Sequence, residues 1–209
     1  MNFTIESISE SDYDKLKQHA LEIMPSEKYH NKNHAEKIES VVTTLLTQSQ
    51  FSFSNYQYTL LSLAALYHDT GYSTGNAENH EQESCDIFMN EVNALHSNIP
   101  SKLCTDVCDC IMDTVLLEPC NTELGEYLAD ADVWSFGANW GTFFKKATNV
   151  RDEFAPDVSE EEWFRSRAHV LSLHDYQTDI GKQKYAIQKK QNKEQICGEY
   201  GPPIQDSFS

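Results

Sequence analysis

Basic residues are scarce in this chain. Its 209 residues include 16 lysines and arginines against 33 aspartates and glutamates, which gives a formal net charge of −17. A surface with this charge repels the phosphate backbone of nucleic acids, so we expect no nucleic-acid polymer as a partner. A small phosphorylated substrate stays compatible with the charge, because a bound cation reverses the sign of the field inside a pocket.

The chain is also poor in glycine (8) and proline (6), which disfavours a fold of many short strands joined by tight turns. It lacks an apolar run of membrane-spanning length, and its start, MNFTIESISESDYDKL, lacks the regions of a secretory signal. None of the six cysteines forms a C-x-x-C pair, so we expect free thiols rather than a zinc knuckle. These absences predict a cytoplasmic protein without a membrane partner.

Apolar residues instead recur at helical spacing along most of the chain. No repeat or linker divides it, so we expect one all-α domain over residues 1–200, with its main motifs within residues 29–185. A helix should also start at residues 100–101 and continue past residue 115 toward Pro119. The pattern predicts further helices over residues 9–24, 30–48, 58–68, 81–95, 124–134, 143–154, 160–173 and 182–196, a polar loop over 72–79 and a loose tail over 201–209.

Three separated segments contain residue types that bind metal ions, and the first is a His-Asp pair. His68 and Asp69 follow an almost wholly apolar run, YTLLSLAALYH, that predicts a buried helix. Adjacent side chains on a helix point in different directions, so both can reach one metal only near a helix end. A buried carboxylate is costly unless it is paired or bound to a metal. Metal binding is one interpretation of the pair, and an Asp69 helix cap beside a hydrogen-bonded histidine is the other.

Each of the other two segments offers two candidates. His30 and His34 are spaced to share one helical face, so they could bind one metal together, or one could act on a substrate. They could equally be partly exposed histidines at a helix start. Asp130 and Asp132 lie in EYLADADVWSF and do not share a helical face. We expect one of them to enter a site while the other caps a helix or forms a hydrogen bond.

Taken together, these segments resemble the HD superfamily of metal-dependent phosphohydrolases, whose signature is a His, an adjacent His-Asp pair and a distant Asp. YHNKNHAEKI is similar to the family's Y-H-N-x-x-H, and AALYHDTGY is similar to A-L-x-H-D-x-G/A-Y. NHEQES resembles N-E-E-x-S, and LADADVWSFG resembles L-x-D-A-D-L-x-x-L-G. RDEF, at residues 151–154, is similar to the R-x-E-Y of a bacterial subgroup known as predicted HD phosphohydrolases.

The resemblance implies a single HD-type helical bundle with a metal site. The matching positions make His34, His68, Asp69 and Asp132 the metal ligands. His30 matches the histidine that protonates the leaving oxygen in the cyclic-nucleotide phosphodiesterase branch. Asp69 is also expected to act in catalysis, by orienting water or by bridging a second metal.

Two histidines and two carboxylates suit a divalent Mn, Mg, Fe, Ni or Co ion, and the lack of thiolate ligands disfavours structural zinc. The resemblance thus implies that metal-activated water hydrolyses a phosphomonoester or phosphodiester bond of a nucleotide or similar small phosphorylated substrate. Lys32, Arg151 and His80 are candidate substrate contacts. A homodimer is a candidate oligomeric state of the chain.

Two other functions stay open. HD-type di-iron oxygenases use two further histidines between the His-Asp pair and the last Asp, and His80 and His96 lie in that interval. We interpret both as surface histidines, with His80 or Glu81 as the residue that could reach the site. A non-catalytic HD module that binds a nucleotide or a partner protein is the other alternative, although an intact ligand set argues against it. Thr70-Gly71-Tyr72-Ser73 lacks the acidic pair of (p)ppGpp hydrolases, which disfavours that activity.

Overall fold

The computed structural model describes residues 8–75, 77–96 and 98–205. Within these ranges the chain forms nine α-helices and no strand beyond an isolated bridge between Ser26 and Asn31, which confirms the all-α class. Short 3₁₀ helices lie at Thr70–Thr74, Ala77–Asn79 and Trp134–Gly137. The α-helices are α1 (Glu10–Ile23), α2 (Lys32–Gln48), α3 (Asn55–Tyr67), α4 (His80–Ala94), α5 (Ser101–Met112), α6 (Glu123–Asp132), α7 (Trp140–Phe154), α8 (Glu160–Leu173) and α9 (Asp179–Tyr200).

Contacts within the chain group these helices into two compact units. The first unit comprises the described residues up to Ser26 together with His30–Ala131. The second comprises Glu27–Tyr29 and the described residues from Asp132 onward. The prediction of a single HD-type domain over residues 1–200 concerns how the whole chain folds, and it stays a prediction.

Helix α3 is the central helix of the first unit. It packs against α1, α2, α4 and α5, as an element that is apolar on nearly every side must. It begins earlier than predicted because Ser54 and Gln57 form a reciprocal capping box at its N-terminus. Its buried residues are Leu60, Leu61, Leu63, Ala64, Ala65, Leu66 and Tyr67.

Helix α5 ends at Met112 rather than continuing past residue 115. The cause is the buried carboxylate of Asp113, which accepts hydrogen bonds from the backbone and side chains of Asn121 and Thr122 at 2.6–3.2 Å. These bonds fold residues 113–122 into a compact turn before α6. Gly125 fits beneath this turn because a Cβ atom there would lie 2.0 Å from Asp113 Oδ2.

The second unit has an aromatic core formed by α7, α8 and α9. Helix α9 starts before its predicted position because the Thr178 side chain accepts a hydrogen bond from the Gly181 N–H at 2.9 Å. The Asn192 amide ties α9 to the preceding 3₁₀ segment by donating to the carbonyls of Phe136 and Ala138. The buried core comprises Phe143, Ala147, Trp163, Phe164, Ala168, Leu171 and Ile196.

The two ends of the chain differ in what the structure describes. Residues 1–7, which begin the segment searched for a signal, lie outside the described residues. At the other end, Arg165 Nε donates to the Pro202 carbonyl at 2.9 Å, and the Ile204 N–H donates to the Arg165 carbonyl at 3.3 Å. These two bonds attach residues 202 and 204 to α8; the tail over residues 201–209 stays a prediction, and residues 206–209 lie outside the described part.

Two further sequence-based expectations concern membranes and thiols. Among the helices that the structure describes, none combines the length and the apolar character that a membrane crossing requires. The six cysteines are free thiols, of which Cys85, Cys104 and Cys110 are buried. The other three, Cys108, Cys120 and Cys197, are half-buried.

Candidate metal centre

The His-Asp pair lies where α3 ends. His68 keeps helical backbone angles as the C-cap residue, whereas Asp69, with φ −105° and ψ 3°, leaves the helix and leads into a 3₁₀ turn. The change in backbone direction between them allows two adjacent side chains to converge. The C-cap residue of α3 is His68 rather than Asp69, so the alternative in which Asp69 caps that helix is wrong.

The His68 ring is oriented by the backbone of its own helix. Its Nδ1 lies 2.8 Å from the Ala65 carbonyl oxygen, and since a carbonyl oxygen only accepts, Nδ1 must donate. Nε2 is then directed at Asp69 Oδ2, 3.0 Å away. A histidine whose Nδ1–H is held by a carbonyl presents Nε2 as its metal-binding atom.

His34 reaches the same carboxylate oxygen from α2. Asn31 caps this helix by accepting hydrogen bonds from the N–H groups of Asn33 and His34, which fixes the first turn. His34 is fully buried, and its Nε2 lies 3.1 Å from Asp69 Oδ2.

The predicted placement of His30 in this helix is wrong, because His30 precedes the extended N-cap residue Asn31. The two histidines therefore do not share a helical face. The structure nevertheless brings His30 to the site. It is buried, and its Nε2 lies 3.9 Å from Asp69 Oδ2.

Asp132, the last residue of α6, completes the group. His34, His68, Asp69 and Asp132 each offer one ligand atom, and these four atoms lie within 4.8 Å of one another. Within the described ranges, this is the one group of three or more histidine, cysteine, aspartate or glutamate residues whose arrangement could hold a metal ion. We call these four residues the ligand cluster. Asp130 is buried in the same helix but is not a member of it.

The environment of Asp69 fits a shared cation. Its Oδ2 is buried and faces three histidine nitrogens, yet among the described residues it accepts no hydrogen bond of good geometry. Burial by itself would raise the pKa of Asp69, but the charges that His68 and His30 carry when protonated lower that pKa well below its usual range. Asp69 is therefore a carboxylate, which is the form that binds a metal ion.

The interpretation of His80 as a surface histidine is wrong. His80 is the first residue of α4, and its Nε2 lies 3.8 Å from the second carboxylate oxygen of Asp69, Oδ1. Its ring stacks on Tyr72, and its Nδ1 lies 3.3 Å from the Glu81 carboxylate. The sequence places His80 in a polar stretch, and only the turn after Asp69 returns that stretch to the site.

Gly71 and Ser84 bring α4 against this turn, a packing role that the sequence alone does not predict for either residue. A Cβ atom on Gly71 would lie 2.0 Å from the His80 carbonyl oxygen, so the two backbones touch. The buried Ser84 hydroxyl accepts a hydrogen bond from the Gly71 N–H at 2.8 Å and donates to the His68 carbonyl at 2.7 Å. The sequence feature that could have drawn attention to Ser84 is its position as the last residue of NHEQES, where it matches the serine of N-E-E-x-S.

The remaining candidates lie in different settings. Lys32, the first residue of α2, is exposed, as is His96, which the sequence analysis placed on the surface. Arg151, in the second unit, pairs with Asp152 at 3.1 Å and Glu160 at 3.8 Å. Substrate contacts by Lys32 and Arg151 stay predictions.

Comparison of the chain with protein-family models, curated proteins and solved structures gives no match. The resemblance to the HD superfamily therefore stays a prediction that rests on the motifs themselves. A functional assignment depends on the ligand cluster and on the side chains around it.

Proposed function

We propose that the chain is a metal-dependent phosphohydrolase that cleaves a phosphomonoester or phosphodiester bond of a nucleotide or similar small phosphorylated substrate. The observation that supports this most is the ligand cluster, whose four ligand atoms lie within 4.8 Å of one another. Two imidazoles and two carboxylates suit divalent Mn, Mg, Fe, Ni or Co. When bound, such a cation supplies a Lewis acid for the phosphoryl oxygen and activates water for hydrolysis.

The side chains of the cluster are held before any cation arrives. The Ala65 carbonyl fixes the His68 ring, the Asn31 cap fixes the start of the helix that bears His34, and Ser84 fixes the turn at Asp69. Ligands held in this way lose little freedom on binding, which favours affinity.

His30 is the proposed general acid. It lies beside the ligand cluster without belonging to it, and its side chain is only 9% exposed. A proton donor in this position can protonate the leaving oxygen while being shielded from bulk water.

The overall charge bears on the substrate and the compartment. A net charge of −17 favours a small phosphorylated molecule over a nucleic-acid polymer, because only the local field of a bound cation attracts phosphate. We keep the cytoplasm as the proposed compartment, in which free thiols are the rule. A homodimer stays open.

A di-iron oxygenase is the second candidate, and one observation favours it. His80 Nε2 lies 3.8 Å from Asp69 Oδ1, so one more histidine approaches the carboxylate that His30, His34 and His68 approach at Oδ2. Histidines together with a carboxylate would form a ligand set suited to non-haem iron. The hydrolase works with redox-inert ions, whereas the oxygenase requires iron and O₂.

The test is a hydrolysis screen on the full chain after chelation and reloading with Mg²⁺, Mn²⁺, Co²⁺, Ni²⁺ or Fe²⁺. Substrates are nucleoside monophosphates, cyclic nucleotides and aryl phosphates, and O₂ uptake is followed in the iron sample. We expect phosphate or nucleotide release that depends on the ion and is lost in Asp69→Ala. A metal-loaded protein that hydrolyses none of these would contradict the proposal, and O₂ uptake by the iron form alone would favour the oxygenase.

A further inference from the structure

Three rings form a stack beside the ligand cluster. The Tyr72 ring lies between the imidazoles of His30 and His80, with centroid distances of 4.1 Å and 4.0 Å. The Tyr72–His80 planes are nearly parallel at 17°, and the His30–Tyr72 planes are tilted by 33°. Both faces of one aromatic ring are thus occupied by a histidine.

The two outer rings of the stack approach different oxygens of one carboxylate. His30 Nε2 lies 3.9 Å from Asp69 Oδ2, and His80 Nε2 lies 3.8 Å from Asp69 Oδ1. The two distances are nearly equal, with Tyr72 between the rings. The thickness of the tyrosine ring therefore sets the separation of two imidazoles that both face Asp69.

The backbone holds the central ring in place. The Tyr72 N–H donates to the Asp69 carbonyl at 3.2 Å, and the Tyr72 carbonyl accepts from the Gly75 N–H at 3.2 Å. The preceding residue, Gly71, touches the backbone of His80. Tyr72 is consequently fixed relative to both Asp69 and the start of α4, whereas His30 lies outside any helix, just before the N-cap of α2.

We propose that Tyr72 is a positioning residue, whose ring holds the His30 imidazole at the distance and orientation needed to protonate the leaving group. The inference rests on the proposed function, in which His30 is the general acid. An aromatic face suits this role because it packs against the flat face of the imidazole and so fixes the orientation of that ring. An aliphatic side chain of similar volume would fill the space without orienting the ring.

The experiment uses the metal-loaded full chain and compares Tyr72→Leu, Tyr72→Phe and His30→Ala. Tyr58→Leu is the matched control, because Tyr58 is a half-buried tyrosine of the same unit whose ring contact is with Phe53. Each variant is assayed with an alkyl phosphate, which is a poor leaving group, and with an activated aryl phosphate. Metal content and helical circular dichroism are measured alongside.

We expect Tyr72→Leu to lower kcat for the alkyl phosphate by about 10- to 100-fold, since small misplacement of a catalytic group has effects of this order. KM and the aryl phosphate rate should change little, because an activated leaving group needs no proton. Tyr72→Phe keeps the ring and should retain most of the wild-type rate. Adding Tyr72→Leu to His30→Ala should produce no further loss, because both changes remove the same function.

Failure of the inference is distinguishable from failure of the proposed function. If His30→Ala leaves the alkyl phosphate rate unchanged, the general-acid role itself is wrong. If His30→Ala slows the reaction but Tyr72→Leu does not, or if Tyr72→Phe is as slow as Tyr72→Leu, the positioning role is overturned.

A spectroscopic measurement tests the stack without any turnover. The ring protons of His30 should show upfield NMR shifts from the Tyr72 ring current in the wild-type protein, with and without metal. These shifts should persist in Tyr72→Phe and disappear in Tyr72→Leu. Wild-type protein whose His30 ring protons show no ring-current shift would contradict the inference even if Tyr72→Leu failed to fold.

Discussion

Removal of the Ser84 hydroxyl should weaken both the fold and the metal site. The hydroxyl bridges two buried backbone groups, the Gly71 N–H at 2.8 Å and the His68 carbonyl at 2.7 Å. Ser84→Ala leaves both without this partner, and a buried polar group that loses its hydrogen bond costs about 1–3 kcal/mol. We therefore expect the free energy of unfolding to fall by about 2–6 kcal/mol.

The same substitution should lower metal affinity by about 10- to 100-fold, which is typical for loss of a group that orients a ligand. Urea unfolding of chelated protein gives the stability change, and competition with a coloured chelator gives the affinity. Ser172→Ala is the matched control, because the Ser172 hydroxyl donates to Ala168 within α8, one turn earlier in the same helix. That control should change stability by less than about 0.5 kcal/mol.

Equal stability and equal metal affinity in Ser84→Ala and the wild type would refute the role of this hydroxyl. Loss of stability with full metal affinity would show that Ser84 supports the fold alone. Only the loss of both supports the view that α4 holds the turn at Asp69.

Two other substitutions follow from the structure. Gly71→Ala should destabilise the protein and reduce metal binding, because its Cβ would lie 2.0 Å from the His80 carbonyl oxygen. Gly198→Ala in α9 is the matched control, because its Cβ meets nothing, and urea unfolding should show a gain of up to about 1 kcal/mol. Equal effects of Gly71→Ala and Gly198→Ala on stability would contradict the close approach of Gly71 to the His80 backbone. Burial, followed by the charge of Lys189, lowers the pKa of His174 to about 4, so the unfolded chain takes up this proton at a higher pH than the folded one. Stability should consequently fall as the pH drops from about 6.5 to about 4, by up to about 3 kcal/mol, and the fall should be smaller in His174→Gln. Unfolding curves for that variant that follow the wild type over this range would exclude His174 as the cause.

Much of the helical architecture could be predicted because local signals are strong. The apolar run before His68 predicts the end of α3 to within one residue, and the acidic start of α8 predicts both ends of that helix. The end of α5 could not be predicted, because it depends on bonds from Asp113 to Asn121 and Thr122 across a turn. Apolar spacing continues beyond Met112, and only the folded turn interrupts it.

At the candidate site, too, the features that depend on local sequence were predictable and those that depend on tertiary contacts were not. The pair His68–Asp69 was predictable because a carboxylate at the end of a buried helix needs a partner. The approach of Tyr72 and His80 to Asp69 was not, since it depends on a 3₁₀ turn and on the contact of Gly71 with α4. His30 was expected to act at the site, and the structure brings it there, but in a different local structure, because the cap at Asn31 places the start of α2 at Lys32, two residues after His30.

The most direct test of the central claim is the metal stoichiometry of two aspartate variants from one helix. Asp132→Asn removes a carboxylate from the ligand cluster, whereas Asp130→Asn changes a buried carboxylate two positions away that does not belong to it. After chelation and reloading with Mn²⁺ or Co²⁺, elemental analysis should find bound metal in the wild type and in Asp130→Asn, and little in Asp132→Asn. A wild type that binds no metal, or equal binding in all three proteins, would contradict the assignment of the ligand cluster.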